Sequence, residues 1–543
     1  MALSHLRCEC TILSGNESQL IHSYGWWPAG ICQTGRSVRR GETLEVELWA
    51  KVKSHPVSLQ IEISPLPVRQ PCYDKDTITV NAAYWKPYRA RLSVPCDDDE
   101  AVFKCQIVGG GMLWIDQIHL RPLGEDHLCH RLMEKIDTLR VPQLRFPGGC
   151  VAANYHWRCG TGSVHLCPTM MDPVFKSHIA YDFGTDEYLE LCHSQNIRPH
   201  ITVNVGSGTP DEAAEWAAYC AAWFRRRGEE LPLAYFQVGA EHYTVSESSH
   251  MTGEMYVDAL RAFVPLIRGA YPNARIIAVG EEYCNNPHAE QQSPWRKLVL
   301  KQASDLFDVL CINRYSGQWK DTPADRIMDV VDGVRKTEND LRVLLADLRT
   351  HGLKQKIALT EWNFMLHASH QDGKGFYETA DAQHGLFVAG MLHMFARLGE
   401  DMELANFYHL VNVMGVFRRR GADVEDSCVA DVFRLYRPAF PGKFLPLKID
   451  SSALGEHSPA VDGLAIQGDK SIHLFLVNRS PSEPASVALP KFASKVAESK
   501  MLVGESPLGQ LLEKEISIPA DILELPPLAI IRIQYGIEAF GSH

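Results

Sequence analysis

The sequence predicts an α/β fold in which a (β/α)8 barrel of the TIM type lies between two β-sandwiches. Three patterns along the chain carry this prediction. Residues 1–123 alternate apolar and polar positions between glycines, prolines and aspartates, which is typical of an antiparallel sandwich. Residues 124–425 alternate short apolar strands with helical stretches, as a (β/α) barrel does. Residues 426–543 return to strand patterns and predict a second sandwich.

Seven strands can be named in the central region, where eight would close a barrel. They are PQLRFPG, PHITVNV, AYFQVGAE, RIIAVGEE, DVLCINRY, KIALTEWN and LANFYHLVNV. The helix after the second strand is expected to begin with Thr209 as N-cap and Pro210 at its first position. An open barrel would leave two strand edges unpaired. We therefore expect residues 1–20 or another segment to supply a strand, unless the chain is truncated.

Composition and charge narrow the class of protein. The 543 residues are too many for one hydrophobic core, and 45% hydrophobic with 22% charged residues is ordinary for a globular protein. A net charge of −12 argues against nucleic acid or an anionic membrane as partner. No apolar run predicts a transmembrane helix or a secretory signal. The 15 cysteines follow neither disulfide nor zinc spacing, so we expect a cytoplasmic protein without metal or other cofactor.

Polar side chains follow the ends of the predicted strands, which meet around one mouth of such a barrel. Glu241 and Glu361, on the fourth and seventh strands of an eight-strand count, should face each other there. Glycoside hydrolysis requires such a carboxylate pair, one to protonate the departing oxygen and one to attack the anomeric carbon. Glu281 and Glu282 are rival acids that we interpret as surface or supporting groups. The strand-end residues are Arg145, Asn204, Glu241, Glu282, Tyr315, Glu361 and Asn412.

Several stretches, in this order, resemble glycoside hydrolase family 51, the α-L-arabinofuranosidases. The similarity runs from about residue 20 to 535 and includes flanks that look like the family's N-terminal carbohydrate-binding-like sandwich and its C-terminal sandwich. The stretches are LRFPGGCVAANYHWRCGTG, FGTDEYLELC, TVNVGSGTPDEAAEWAAYC, VGAEHY, NRYSG and LTEWN. The resemblance implies a retaining exo-glycosidase that removes terminal, furanosyl residues by double displacement.

The resemblance also implies roles for individual residues. Glu241 matches the general acid/base, which must be protonated in the free enzyme, and Glu361 matches the nucleophile. Other matched positions line the subsite of the sugar being cleaved. Core packing is the alternative for Trp157, and a buried inert thiol is the alternative for Cys150. The matched subsite positions are Arg145, Cys150, Trp157 and Tyr315.

Four departures from the family pattern concern the sugar subsite. Ala240 stands where the family has an asparagine that hydrogen-bonds the sugar 2-hydroxyl, and alanine cannot make that bond. Asn313 replaces the histidine of the family's His-x-Tyr, and His409 replaces a glutamine. The family's first barrel strand, with a further sugar-binding glutamate, is missing. Arabinofuranoside remains the expected substrate, although His409 and Arg314 could recognise another furanose, a 2-modified sugar or an acidic sugar. A structural salt bridge is the alternative for Arg314.

Two other functions stay open at this point. The protein could be a non-catalytic carbohydrate-binding protein, or a glycosidase of the same fold that acts on another sugar, as a xylosidase or endo-glucanase does. We expect an oligosaccharide or polysaccharide-derived substrate, and the family suggests a homo-oligomer. The loop 367–375 could border the substrate entrance. For most of the N-terminal tryptophans Trp26, Trp27, Trp85 and Trp114 we expect core packing, with one or two as a sugar-stacking platform.

Overall fold

The computed structural model describes most of the chain. The described residues are 13, 18–67, 71–124, 130–164, 167–171, 178–244, 249–280, 294–317, 323–364, 381–420, 423–454, 458–490, 495–519 and 521–536. The chain forms two compact units. The first unit consists of Met1–Lys135, His156–Ser194 and Arg419–Val424. The second unit consists of Ile136–Tyr155, Gln195–Arg418 and Glu425–His543. The three-domain division at residues 123 and 425 stays a prediction.

The first unit contains an antiparallel β-sandwich. Its strands are β1 (Gln19–Tyr24), β2 (Ala29–Val38), β3 (Thr43–Val52), β4 (Val57–Ser64), β5 (Asp74–Val80), β6 (Lys86–Ser93), β7 (Asp98–Val108) and β8 (Gly110–Pro122). They form two sheets in the orders β1-β8-β3-β6 and β2-β7-β4-β5. Alternate side chains such as Leu48 and Ile61 point inward from the two sheets into one core. The predicted sandwich is therefore present.

The four tryptophans of this sandwich differ in their exposure to solvent. Trp26 and Trp27, between β1 and β2, are 85% and 82% exposed, so the core interpretation is wrong for both. Trp85 and Trp114 are partly buried, and the Lys51 ammonium lies 5.2 and 5.6 Å from their ring centres. The turn between two strands places Trp26 and Trp27 outside the alternation that buries side chains within a strand.

The central part of the chain carries the barrel strands. Its strands are β9 (Gln143–Phe146), β10 (Thr169–Met171), β11 (His178–Ala180), β12 (Arg198–Val203), β13 (Ala234–Val238), β14 (Ala274–Val279), β15 (Val309–Ser316), β16 (Lys356–Phe364), β17 (Met402–Phe407), β18 (Phe417–Arg420) and β19 (Asp423–Asp426). Seven of them form a parallel sheet in the order β17-β16-β15-β14-β13-β12-β9. These seven coincide with the seven strands predicted from the sequence. β10 pairs with β11 and β18 with β19.

Eight helices are described along the same region. They are α1 (His130–Leu139), α2 (Thr185–Ser194), α3 (Pro210–Arg226), α4 (Gly253–Ala270), α5 (Pro294–Gln302), α6 (Pro323–Thr350), α7 (Ala382–Leu398) and α8 (Cys428–Tyr436). The predicted start of α3 is confirmed, because the Thr209 hydroxyl accepts a hydrogen bond from the Glu212 backbone N–H at 3.1 Å. Pro210 occupies the first helical position, where no intrahelical donor is needed. No helix of the described residues is both long and apolar enough to cross a membrane.

The barrel has a seam between β9 and β17, the two edge strands of the seven-stranded sheet. No eighth strand joins this parallel sheet among the described residues. The Asn406 side-chain amide donates to Gln143 Oε1 at 2.8 Å and links the two strands. A cavity of about 1100 Å³ lies at the seam and is lined by residues 143–145 and 403–407. Neighbouring residues of a strand point to opposite faces, so this cavity reaches both sides of the sheet.

The C-terminal part of the chain forms the second predicted β-structure. Its strands are β20 (Lys443–Leu445), β21 (Ala453–Leu454), β22 (Ser458–Pro459), β23 (Val461–Gln467), β24 (Ser471–Asn478), β25 (Ala485–Ala488), β26 (Val496–Gly504), β27 (Leu511–Lys514), β28 (Ile522–Leu525) and β29 (Ala529–Gly536). Six of them form a sheet in the order β20-β23-β24-β29-β26-β27. Leu523 and Leu525 of the β25–β28 pair share one core with Leu474 and Ile531 of this sheet.

Candidate active site

Glu361 lies within β16 and is nearly buried, with 4% of the residue exposed. Its Oε1 accepts a hydrogen bond from Arg145 Nη1 at 2.8 Å, and its Oε2 accepts one from the Tyr315 hydroxyl at 2.6 Å. The guanidinium and the carboxylate form an ion pair that is almost entirely removed from solvent. A charged and a phenolic donor therefore hold both oxygens of this carboxylate.

Arg145 is itself fixed by the barrel. The Arg145 side chain lies at the end of β9, where Nε donates to Thr202 Oγ1 at 2.9 Å and Nη1 also donates to the Thr360 carbonyl at 3.1 Å. Within the part of the chain that the structure describes, Arg145 Nη2 is buried without a hydrogen-bond partner. A buried donor of this kind is costly unless a ligand or water meets it.

Glu241 follows β13 and sits in a turn. Its φ of +49° lies in the left-handed region, which is uncommon for a residue other than glycine and typical of constrained functional positions. Glu241 Oε1 accepts a hydrogen bond from Asn313 Nδ2 at 2.7 Å. Its Oε2 faces the Cys150 thiol, with Sγ at 3.5 Å. The two glutamates thus meet different partners.

A register shift between β15 and β16, at Thr360 of β16, sets side chains of β15 against both carboxylates. The pairing of β15 with β16 is irregular between Ile312 and Asn313, after which Asn313 lies level with Glu361. Such bulges change the direction of side chains and occur next to active sites. Two residues further along β15, Tyr315 points to the same side as Asn313 and reaches Glu361. β15 therefore supplies one hydrogen-bond donor to each of the two glutamates.

The phenols near Glu361 stay protonated. Burial, together with the charge of Glu361, raises the pKa of Tyr315 well above its usual value. The same two causes raise the pKa of Tyr408, whose ring lies 6.1 Å from that of Tyr315. Tyr315 is therefore a neutral donor to the carboxylate throughout the physiological pH range.

Gly149 is a functional position that the sequence reasoning missed. A Cβ added at this residue would overlap Glu361 Oε1, which Arg145 holds in place. The absence of a side chain is thus required for the loop after β9 to pass the carboxylate. The paired glycines in RFPGGC were the signal. Thr360, which donates to Asn313 Oδ1 at 2.9 Å, was also missed, because a threonine inside a strand gives no sign of its partner.

The remaining predicted residues lie in different surroundings. Ala240 is buried next to Glu241. His409 Nδ1 lies 3.1 Å from the Val413 carbonyl, and burial lowers the pKa of His409 although the charge of Glu361 opposes this shift. Arg314 Nε contacts Asp340 at 2.7 Å, so the salt-bridge interpretation is confirmed.

Trp157 belongs to the first compact unit, whereas the two glutamates belong to the second. It is 3% exposed, and the Arg158 guanidinium lies 4.6 Å from its ring centre. Its role at the subsite stays a prediction. Glu281, Glu282 and the loop 367–375 lie outside the described residues. Within the described ranges, no group of three or more His, Cys, Asp and Glu side chains is arranged to hold a metal ion.

Comparison with known proteins connects this geometry to a family. Residues 135–308 match the family model of the α-L-arabinofuranosidase 1 domain. The α-L-arabinofuranosidase C of Emericella nidulans is 25% identical over 323 residues, which cover 54% of this chain and 62% of that protein. The chain thus spans about three fifths of the length of such curated relatives. The intracellular exo-α-L-arabinofuranosidase of Bacteroides ovatus is 25% identical over 382 residues, which cover 65% of this chain and 73% of that protein.

A solved structure agrees with both sequence matches. The family 51 α-L-arabinofuranosidase from Thermotoga petrophila superposes with a TM-score of 0.66 at 25% identity. The superposition covers 76% of this chain and 92% of the solved one. The domain match, the relatives and the shared fold together show that the chain is similar to the α-L-arabinofuranosidases, including those of glycoside hydrolase family 51.

Proposed function

We propose that the protein is a retaining exo-glycosidase of the α-L-arabinofuranosidase type, with Glu361 as nucleophile and Glu241 as general acid/base. The observation that carries this proposal is the contrast between their donors. Arginine and tyrosine stabilise an ionised Glu361. The neutral amide and thiol at Glu241 allow its carboxyl group to exchange a proton.

The reaction takes two displacements. A Glu361 oxygen attacks the anomeric carbon while the bond from that carbon to the leaving oxygen breaks. Glu241 gives its proton to the leaving oxygen, and a glycosyl-enzyme ester remains. Glu241, now ionised, takes a proton from water as the water oxygen attacks the same carbon. The ester bond breaks, the sugar leaves with its original anomeric configuration, and Glu241 is again protonated.

The sugar is proposed to lie against the loop after β9 and the ends of β15 and β17. Arg145 Nη2 offers a buried donor without a partner in the described part of the chain. The methyl group of Ala240 cannot donate a hydrogen bond. The 2-hydroxyl of the sugar must therefore bind to another residue or make no hydrogen bond to the protein. The subsite residues we propose are Arg145, Cys150, Trp157, Ala240, Asn313, Tyr315 and His409. The substrate is a terminal furanosyl residue of an oligosaccharide or a polysaccharide-derived glycan.

The wider organisation is proposed from the same family. We infer three domains, 1–123, 124–425 and 426–543, in which the first acts as a carbohydrate-binding module. The intracellular relative from Bacteroides ovatus supports a cytoplasmic location. We also infer a homo-oligomer, from the family resemblance alone. The net charge of −12 fits a protein without nucleic acid or membrane partners.

Hydrolysis of 4-nitrophenyl furanosides and pyranosides by the wild type, Glu361→Gln and Glu241→Gln tests this function. We expect turnover of one furanoside with retained configuration, and a loss on the order of 10⁴-fold or more in Glu361→Gln. In Glu241→Gln the loss should be about 10²- to 10⁴-fold on glycosides with a poor leaving group, and smaller on the nitrophenyl glycoside, which needs less protonation.

Glu254→Gln is the matched control, since Glu254 is exposed in the first turn of α4. It should retain wild-type activity. Glycan binding without turnover of any member of the panel would instead favour a non-catalytic carbohydrate-binding protein. Turnover of a pyranoside only would overturn the furanosidase assignment.

A further inference from the structure

Asn313 connects the two carboxylate segments of the site. Its Nδ2 lies 2.7 Å from Glu241 Oε1, and its Oδ1 accepts the Thr360 hydroxyl at 2.9 Å. Asn313 is 4% exposed and Thr360 is 1% exposed, so neither side chain can exchange its partner for bulk water. Thr360 directly precedes Glu361 in β16. The position of one carboxyl group is therefore tied to the strand that carries the other.

We propose that Asn313 is a positioning residue which, held by Thr360, fixes the carboxyl group of Glu241 so that Oε1 only accepts and Oε2 carries the exchangeable proton. This inference rests on the proposed acid/base role of Glu241. It goes beyond the place of Asn313 in the proposed sugar subsite, because it concerns the carboxyl group of Glu241.

The hydrogen-bond chemistry leads to this assignment. An ionised carboxylate accepts but does not donate, so the amide nitrogen of Asn313, not its oxygen, faces Glu241. The amide oxygen then faces Thr360, whose hydroxyl must donate to it. With Oε1 engaged by a strong amide donor, a proton on Glu241 is accommodated on Oε2. Among the described residues, Oε2 faces the Cys150 thiol at 3.5 Å, a weak donor that does not prevent protonation.

An asparagine suits a group that changes its charge twice in each cycle. Its amide does not titrate, so the same hydrogen bond persists while Glu241 is protonated and while it is ionised. A titratable residue at this position would exchange protons with Glu241 or would alter its pKa when it became charged. The register shift before Asn313 supports this role, because it sets Asn313 level with Glu361 and within reach of Glu241.

Most titratable groups around Glu241 are neutral at physiological pH. Burial raises the pKa of Cys311 to about 11, and Glu241 adds to this shift. Burial also raises the pKa of Tyr315 and of Tyr408, with Glu241 as a smaller cause in both. Among the described residues, Glu361 and the Cys150 thiol also lie near Glu241. We therefore expect a substitution at residue 313 to change the measured titration of the Glu241 carboxyl group.

Four variants test the proposal. Asn313→Asp is isosteric but places a carboxylate against Glu241. Asn313→Ala removes the donor. Thr360→Val removes only the hydroxyl that holds the amide, and Thr360→Ser restores a hydroxyl. The pH profiles of kcat and of kcat/KM are measured for each variant. The carboxyl titration is followed separately, by infrared difference spectra against Glu241→Gln without substrate.

We expect Asn313→Asp to shift the alkaline limb of kcat/KM and the infrared titration upward by about one pH unit or more, since a like charge disfavours ionisation. In Thr360→Val, kcat should fall about tenfold with KM nearly unchanged, because a group held less firmly reacts less often. Thr360→Ser should recover most of this loss.

Two results would overturn the proposal. The first is a raised KM in Asn313→Ala with an unchanged kcat and an unchanged alkaline limb, which would make Asn313 a sugar-binding residue. The second is wild-type behaviour of Thr360→Val. If the wild type hydrolysed no glycoside, the proposed function would fail, while the infrared titration of Glu241 in the Asn313→Asp protein would still decide the positioning role.

Discussion

The two carboxylates of the site differ in every feature that surrounds them. Glu361 lies inside a strand, and an arginine and a tyrosine hold both of its oxygens. Glu241 lies in a turn after a strand, with a φ of +49°. An asparagine and a cysteine are among its partners. Barrel geometry brings the two together, but each is supported in its own way.

This difference shows how one pair of like side chains would perform the two tasks that we propose for them. A nucleophile must stay ionised, and charge-assisted hydrogen bonds stabilise its ionised form. An acid/base must be stable in both protonation states, and neutral donors do not commit it to one. The environment, not the residue type, separates the two roles.

The largest effect of a change that spares both carboxylates is expected at Gly149. In Gly149→Ala the new methyl group would overlap Glu361 Oε1 and displace the carboxylate from Arg145. We expect kcat to fall about 10²-fold or more, since such misplacement of a reacting group is costly. The measurement is turnover of the furanoside substrate together with the thermal unfolding midpoint.

Gly269→Ala is the matched control for this change. Gly269 lies in α4, and nothing lies within 4 Å of the position that its Cβ would take. Activity should be unchanged, and the unfolding midpoint should stay or rise, because alanine favours a helix. An active Gly149→Ala enzyme would show that Glu361 tolerates a different position.

A smaller effect is expected from Tyr315→Phe. This change removes one donor to Glu361 but leaves the ion pair with Arg145. A hydrogen bond to a charged group contributes about 1.5 kcal/mol or more, so kcat/KM should fall roughly tenfold. Tyr271→Phe is the control, because Tyr271 is also buried and its hydroxyl donates to the Pro232 carbonyl at 2.9 Å. It should lose stability without losing activity, and equal activity losses in both would contradict a specific role of Tyr315.

The smallest effect on turnover is expected from His242, which follows Glu241. Burial lowers the pKa of His242 to about 4, so this residue is neutral in the folded protein at pH 7. The unfolded chain, with a histidine pKa near 6.5, binds more protons below that pH. The free energy of unfolding should therefore fall as pH drops from about 6.5 towards 4, by up to about 3 kcal/mol from this residue.

Urea unfolding of the wild type and of His242→Gln at pH 7, 6 and 5 measures this contribution. Other buried histidines with lowered pKa values, such as His200, are present in both proteins, so the difference isolates His242. The variant should lose less stability on acidification. If the urea midpoints of the two proteins changed in parallel with pH, His242 would not contribute to the pH dependence of the free energy of unfolding.

Much of the architecture follows from local patterns in the sequence. Period-two alternation predicted the sandwich strands, and apolar runs between helices predicted all seven barrel strands. Thr209 and Pro210 marked the start of α3. Glu241 and Glu361 could be named because strand ends meet at one mouth. These features depend on neighbours within a few residues, or on a rule that every barrel of this class obeys.

Other features became clear only in the tertiary structure. Trp26 and Trp27 are exposed because they lie in a turn, and the hydrophobic pattern of the sequence does not predict the position of that turn. The close approach of Gly149 to Glu361 places the loop after β9 against β16, and the hydrogen bonds of Asn313 join β15 to β16 and to the turn after β13. Hydrogen bonds between residues far apart in the chain depend on register to within one residue, and a bulge can change that register. Sequence alone thus determined which residues could do the chemistry, whereas the tertiary structure decided which oxygen each donor meets.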